Sequence, residues 1–459
     1  MKTRKNLKYL IFLFFCGWFH FHLQASFAGD SFAILAQEFA KRRAAFVQKM
    51  PDSSLAIFFA APSKTRSNDV PYEYRQDSNF YYLTGVSQPN TILLIARNGS
   101  EQSHEAVLFM PRPHPYLASW DGAPLSEDKA KKLSGIATVK LTDDFDDELT
   151  SRLANRRNLF YTFRNELLQE PVSRTRFFIS HQSTQALQEK YPGLTVHSPS
   201  AFLAQLRQIK SPAEIALMRR AIAITCDALT EAMRRARPGM FEYQLEAIIE
   251  FVFKREGAEY PAFPSIIGSG PNSTVLHHAS NRRKTADGDL VVMDVGAEFC
   301  GYSADVTRTM PVNGKFNDRQ REIYEIVLRA QKAALAIIKP GAPFRAAHEA
   351  AKAVIDNAGY GPYFTHGTSH YLGLDTHDVG ERKPLLAGMV ITVEPGIYIP
   401  EGAALDRAYW NIGIRVEDDV LVTADGCEIL SIGVPREIAE IEKLMRQKSA
   451  SDFSSSDVQ

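Results

Sequence analysis

The chain has 459 residues, enough for two domains with sizeable cores, and its 53 basic side chains offset 53 acidic ones. Lys2, Arg4, Lys5 and Lys8 lie in a leader without an acidic residue, so the remainder carries 49 basic against 53 acidic groups, a net charge of −4. That balance argues against a nucleic-acid or anionic-membrane partner. Past the leader, Cys226, Cys300 and Cys427 are too few, and odd in number, for a disulfide framework.

The leader combines its basic start with an apolar run from Tyr9 to Leu23 and a small-x-small cleavage signal at Ser26-Phe27-Ala28. This reads as a signal peptide over residues 1–28. The run is short for a membrane span and is diluted by His20 and His22, so no stable membrane insertion is expected, although an uncleaved anchor is the alternative. An exported protein with few cysteines suits the periplasm or the extracellular space.

Residues 29–198 alternate helical and strand patterns: a helix from Phe32 to Val47, then strands at Leu55 to Ala60, Thr91 to Ala96 and Ala106 to Met110. They predict an α/β domain. The turn-like His197-Ser198-Pro199-Ser200 reads as a linker, and a second domain is expected over 199–447. Ser211-Pro212-Ala213-Glu214 is a capping box that opens a long helix, which Arg237-Pro238-Gly239 should stop. Further helices are expected at Tyr243 to Glu256, Asp318 to Ile338 and Pro343 to Asn357, alternating with strands. The polar tail, 448–459, has a disordered composition.

Leu290 to Thr309 has the pattern of a β-hairpin. A pivot between Phe299 and Cys300 would set Asp294 opposite Asp305, like charges that need a cation between them. Gly288 to Gly296 and Gly388 to Gly396 share one frame: Gly, an apolar strand, an acid six positions on (Asp294, Glu394), and Gly two later. Two generic buried strands can share such a frame; a duplicated half also produces it, and would bring the two acids to face one another. Glu417 follows a third apolar stretch, Ile414 to Val416, interrupted by Arg415.

Each acid alone reads as a solvated strand end, and Glu417-Asp418-Asp419 also reads as an acidic turn. Four carboxylates converging without cations would raise one another's pKa values, and two divalent ions would balance them. His366, His370 and His377 fall within a Gly-rich, loop-like stretch between these acids. Arg415 and Glu417, two apart, would share a strand face as an ion pair.

Asp294, Asp305, His370, Glu394 and Glu417, in this order and context, resemble the metal ligands of the dinuclear "pita-bread" metallopeptidases. Gly301 to Thr309, Pro311 to Phe316, the His366 to Gly380 loop and Val393-Glu394-Pro395-Gly396 are most similar to the aminopeptidase P branch, as is Arg75 to Gly85 in the first domain. The resemblance implies an α/β N-terminal domain followed by a pita-bread α+β catalytic domain with pseudo-twofold duplicated halves. It implies that Asp294 binds one metal, His370 and Glu394 the other, and that Asp305 and Glu417 bridge both. His277 and His377 would contact the substrate or the tetrahedral intermediate, while His366, Arg415 and Tyr398 would line the substrate site.

The implied activity is release of the N-terminal residue from Xaa-Pro peptides by a hydroxide held between two divalent metals, with Glu394 shuttling the proton. Four carboxylates and one imidazole, without a thiolate, favour hard or borderline ions, and the resemblance implies Mn²⁺, with zinc, cobalt and iron as the alternatives. A homo-oligomer is also implied. The rival readings are a prolidase acting on Xaa-Pro dipeptides, a metal-free binding relative of the same fold, and a metal-independent creatinase-like hydrolase. Ser369 ahead of His370 and the Pro311 to Phe316 segment favour aminopeptidase P over prolidase; the intact ligand set disfavours the last two.

Overall fold

Period-two alternation builds the first sheet. Leu55 and Ile57, Leu94 and Ala96, and Val107 and Phe109 are buried together on one face with Phe145 and Leu159. On the other face Phe46, from a helical stretch over 36–49, packs edge-on against Phe58 and Phe160. The computed structural model describes residues 36–447 apart from 99–103, 155, 162–184 and 186. The expected signal peptide, the start of the expected first helix and the expected disordered tail lie outside the described residues.

Among the described residues this sheet has six strands, in the order Thr138–Leu141, His104–Met110, Ile92–Arg97, Ser54–Phe59, Asn158–Tyr161, Thr195–His197. The two central hairpin contacts are antiparallel and the outer pairings parallel. The Arg75 to Gly85 segment forms the helix Ser78–Thr84, capped by Asp77 and closed by Gly85 in the left-handed region.

The chain divides into two compact units after Leu206, rather than at the 198/199 boundary expected from the turn residues. The helix Ser200–Arg207 follows that turn, and its Phe202 packs on Phe46 and Phe160 of the first unit. Apolar burial, not turn composition, assigns this segment to the first unit.

The second unit repeats one order of elements. Helices Pro212–Arg235 and Glu242–Arg255 precede the antiparallel strands Leu290–Val295 and Val306–Pro311; helices Asp318–Leu335 and Ala346–Asn357 precede Val390–Val393 and Asp418–Val422, also antiparallel. The Ser211–Glu214 capping box forms as the sequence requires. Glu214 accepts a second hydrogen bond from the Tyr302 hydroxyl, which ties the first helix to the hairpin. Gly288 and Gly388 occupy matching places, each at positive φ (82° and 89°) before its strand.

The second glycines of the echo make room. A Cβ on Gly296 would lie 1.8 Å from the Ala304 carbonyl oxygen, and one on Gly396 would lie 2.5 Å from the Tyr398 hydroxyl. Two backbone segments, or a backbone and a ring, therefore approach beside each acid.

Candidate metal centre

The hairpin turns one residue later than the sequence pattern suggests. Phe299 pairs with Tyr302 around Cys300-Gly301, whose φ values of 49° and 79° suit a type I′ turn. Asp294 consequently lies opposite Thr307, not Asp305. Asp305 is two residues short of Thr307, so the two acids are diagonal neighbours across the hairpin. Gly301 was the available signal, since a two-residue loop of this type places its glycine second.

Glu417 arrives from the other half. The strand Ile412–Arg415 ends, and the chain crosses through Val416 and Glu417 into Asp418–Val422. At this crossing the Glu417 amide donates to the Thr307 carbonyl (3.1 Å), and the Thr307 hydroxyl donates to Glu417 Oε2 (2.6 Å). His370 belongs to the loop that lies against Val390–Val393: its amide donates to the Thr392 hydroxyl (3.2 Å). Its Nδ1 donates to the Tyr371 carbonyl at 3.0 Å, which fixes the ring with Nε2 turned toward the acids.

That Nε2 is 3.3 Å from Asp305 Oδ2 and 3.5 Å from Glu394 Oε1. Ligand-capable atoms of Asp305, His370 and Glu417 all lie within 4.8 Å of one another. Asp294 and Glu394 border this triad. Asp294 Oδ2 accepts from Arg415 Nη2 at 2.6 Å, whereas its Oδ1 is buried without a hydrogen-bond partner.

Arg415 therefore pairs with Asp294, not with Glu417 as strand spacing suggests. Its Nε donates to the Thr307 hydroxyl and its Nη1 to the Tyr398 hydroxyl, which also meets His366 Nε2 at 2.9 Å. The alternative reading of this stretch as a solvated acidic turn fails: Glu417, Asp418 and Asp419 are 1%, 0% and 0% exposed. Asp418 faces away from the centre, onto the fully buried Arg308, Arg436 and Ser431. Burial alone would raise its pKa, but those two guanidiniums pull it below the usual carboxylate range. Asp419 accepts the Asp305 amide on Oδ2 (3.1 Å) and leaves Oδ1 buried and unpartnered. Sequence reasoning missed it because acidic triplets are usually solvated; the continuous apolar run Val420-Leu421-Val422 that follows was the sign that it belongs to a buried strand.

The electrostatics are those of a site short of positive charge. Burial, then the charges of Asp294, Asp419 and Glu394, push the Asp305 carboxyl well above its ordinary value. Glu417 rises for the same reasons, burial first and then Asp305 and Glu394; burial also raises Glu394 and Asp419. Five carboxylates (Asp294, Asp305, Glu394, Glu417, Asp419) meet one guanidinium, Arg415. The excess of four negative charges equals two divalent cations, and the orphaned oxygens of Asp294 and Asp419 are hard donors suited to such ions.

Histidines ring this cluster. His377 packs edge-on against His370, with ring centroids 4.4 Å apart. Burial, then the nearby His370 and His277, lower its pKa. His277 is exposed, while its neighbour His278 is occupied by Glu242 at 3.1 Å. His366 Nδ1 is 3.6 Å from Glu394 Oε2, and burial with the Arg415 charge lowers this imidazole to about 4. Behind the loop, Asp378 holds buried Arg207 (2.5 Å) and Lys210 (3.1 Å), a strut that sequence reading did not anticipate.

Known proteins resemble this chain over most of its length. Residues 216–424 match metallopeptidase family M24, and 39–161 match the aminopeptidase P N-terminal domain. The Xaa-Pro aminopeptidase of Escherichia coli (strain K12) is 38% identical over 441 residues, 90% of this chain and 98% of that protein.

The chain belongs to the aminopeptidase P branch of metallopeptidase family M24.

The Xaa-Pro aminopeptidase of Haemophilus influenzae is also 38% identical, over 89% of this chain and 97% of its own. Among solved structures, aminopeptidase P from E. coli with the inhibitor Pro-Leu matches with a TM-score of 0.81 at 37% identity, covering 89% of this chain and 98% of that one. Proline aminopeptidase P II from Yersinia pestis matches at 0.82 and 36%, covering 89% and 99%. The two-domain α/β and pita-bread architecture expected from the resemblance is the one these relatives share.

Proposed function

We propose that the protein is a metallo-aminopeptidase that releases the N-terminal residue from peptides with proline in second position, using two divalent metal ions, Mn²⁺ foremost. The observation that carries this is the Asp305–His370–Glu417 cluster inside a buried pocket with four uncompensated negative charges. It lies in a chain aligned over nearly its whole length with Xaa-Pro aminopeptidases. Asp305 and Glu417 would share two ions; Asp294, through its unpartnered Oδ1, and His370 Nε2 with Glu394 would each hold one. Bound divalent ions supply a Lewis acid for the scissile carbonyl and make a water nucleophilic near neutral pH. Hard carboxylate donors favour manganese, and zinc also occupies this kind of site: one relative is a Zn-substituted E. coli aminopeptidase P in complex with product.

The chain's own groups do the rest. Glu394 accepts the proton of the attacking water and returns it to the proline nitrogen, which must be protonated to leave. His377 and His277 donate N–H groups to the oxyanion, neutral imidazole sufficing for one hydrogen bond. Arg415 orients Asp294 through its 2.6 Å hydrogen bond, and the Tyr398 hydroxyl links that guanidinium to His366.

Turnover of Xaa-Pro-Xaa tripeptides, abolished by chelator and restored by manganese, is the expected result. Turnover of Xaa-Pro dipeptides alone would make the protein a prolidase. The basic, apolar leader supports export to the periplasm or medium, which cell fractionation tests. Among the described residues no helix is long and apolar enough to cross a membrane. Association into a homo-oligomer is part of the same proposal and is read by light scattering.

A further inference from the structure

Beside the centre lies a cavity of about 450 Å³, bounded by Phe344, Arg345, His348, Phe364 and Arg382 and floored by the 365–369 turn, which contributes His366. Its volume is in the range that holds small ligands. One wall is a row of rings, His348 to Phe364 (5.3 Å between centroids) and Phe364 to His366 (5.3 Å), and beyond the cavity His366 meets Tyr398 (5.4 Å). The row starts at the catalytic end, where His366 Nδ1 is 3.6 Å from Glu394 Oε2. From His366 to His348 it spans two or three extended residues at about 3.4 Å each.

The far end of the row is cationic. Arg345 and Arg382 are exposed and enter no ion pair among the described residues; nearby Glu381 is held by Lys383 at 2.6 Å. The His348 imidazole is fixed by the Thr368 hydroxyl at 3.0 Å, which sets the wall between the two charges and the centre. Ser369, which also lines the cavity, has a buried hydroxyl oxygen with no partner. Guanidinium groups present planar forks that match carboxylates.

We infer that this cavity receives the part of the substrate that follows proline, and that Arg345 and Arg382 hold a carboxylate there, either the peptide's C-terminus or an acidic side chain within two or three residues. The inference rests on the proposed Xaa-Pro peptidase activity. Its direction follows from charge and from proton delivery. Glu394 protonates the leaving nitrogen and borders the cavity through His366, so the chain attached to that nitrogen departs on this side. The ammonium of the N-terminal residue would be repelled by two guanidiniums.

The test compares three substrates with the manganese-loaded full chain: Ala-Pro-Ala-Ala with a free C-terminus, the same peptide as its amide, and Ala-Pro-Glu-Ala as its amide. A carboxylate should raise kcat/KM over the neutral amide by roughly fivefold, the scale of a partly exposed charge pair, chiefly through KM. Preference for the free acid alone identifies the chain terminus as the ligand; preference for the Glu peptide alone identifies the side chain. The double variant R345E/R382E should reverse the order and favour a Lys peptide, with metal content and thermal unfolding confirming its fold. Equal kcat/KM for all three peptides in the wild type, or a wild-type order retained in the variant, overturns the inference and leaves the peptidase reading standing. Absence of turnover for every peptide overturns the peptidase reading itself.

Discussion

Asp419 shows how much a single buried carboxylate can matter without being a ligand by sequence pattern. It accepts the Asp305 amide and supplies one of the uncompensated negative charges. Asp419→Asn preserves the shape and an acceptor oxygen, and should weaken metal binding roughly tenfold to a hundredfold, the usual cost of losing a supporting group. Metal titration followed by elemental analysis reads this. Glu394→Ala or Asp305→Ala should lose metal and peptidase activity together, and retention of both would remove these residues from the centre. Arg308 is a purely structural counterpart. Its guanidinium is fully buried against Asp418 and several backbone carbonyls, so Arg308→Ala leaves those carbonyls without a donor and the buried Asp418 with Arg436 as its one remaining guanidinium. A loss of about 3–5 kcal/mol in denaturant unfolding is expected.

At the scale of elements, the hairpin and the histidine loop are each held by one close approach. Gly296 lets the two arms of the hairpin meet, and Gly296→Ala would drive a methyl group into the Ala304 carbonyl. Overpacking of this kind costs about 1–3 kcal/mol. Because the arms carry Asp294 and Asp305, the same substitution should lower metal affinity, which titration would separate from a simple loss of stability. The loop between His370 and His377 hangs on Asp378, whose carboxylate meets both Arg207 and Lys210 and sits where a Cβ on Gly373 would intrude at 2.1 Å. Asp378→Asn keeps the volume but removes the charge. The expected outcome is a fall in kcat with metal content unchanged, since His377 rather than the ligand set is displaced. Most of these elements were legible in the sequence: the capping box, the Arg237-Pro238-Gly239 stop and the alternating strands are local signals. The one-residue shift of the hairpin hung on a single residue, because apolar patterning leaves the pivot free and only Gly301, second in a two-residue loop at positive φ, marks it.

For the whole molecule, the centre couples stability to metal and to pH. In metal-free protein the folded Asp305, Glu417 and Asp419 keep their protons to higher pH than unfolded carboxyls, which titrate near about 4. The stability this confers is complete below that unfolded value and is lost as pH rises through the raised folded values. Metal-free protein should therefore melt at progressively lower temperature from about pH 4 toward neutrality. Metal-loaded protein should show the opposite trend, since its ligands must be deprotonated to bind. Calorimetry with and without chelator distinguishes the two slopes. At free metal a hundredfold above its Kd, the ions should add about 2.7 kcal/mol for each site.

By itself the sequence determined which residue types meet: acids at the ends of apolar strands, a Gly-rich histidine loop, and two strands built on one frame. These are consequences of local periodicity and of the cost of burying charge, and both are written along the chain. Only the tertiary structure decided the pairings. Asp294 faces Thr307 because of a two-residue turn, Arg415 turns to Asp294 because the chain leaves its strand before Glu417, and Asp418 and Asp419 are buried because the crossing of the two halves covers them. Side-chain partners set by long-range crossing carry no local pattern. The charge count of the centre, five acids against one guanidinium, therefore becomes visible only when both halves are folded together.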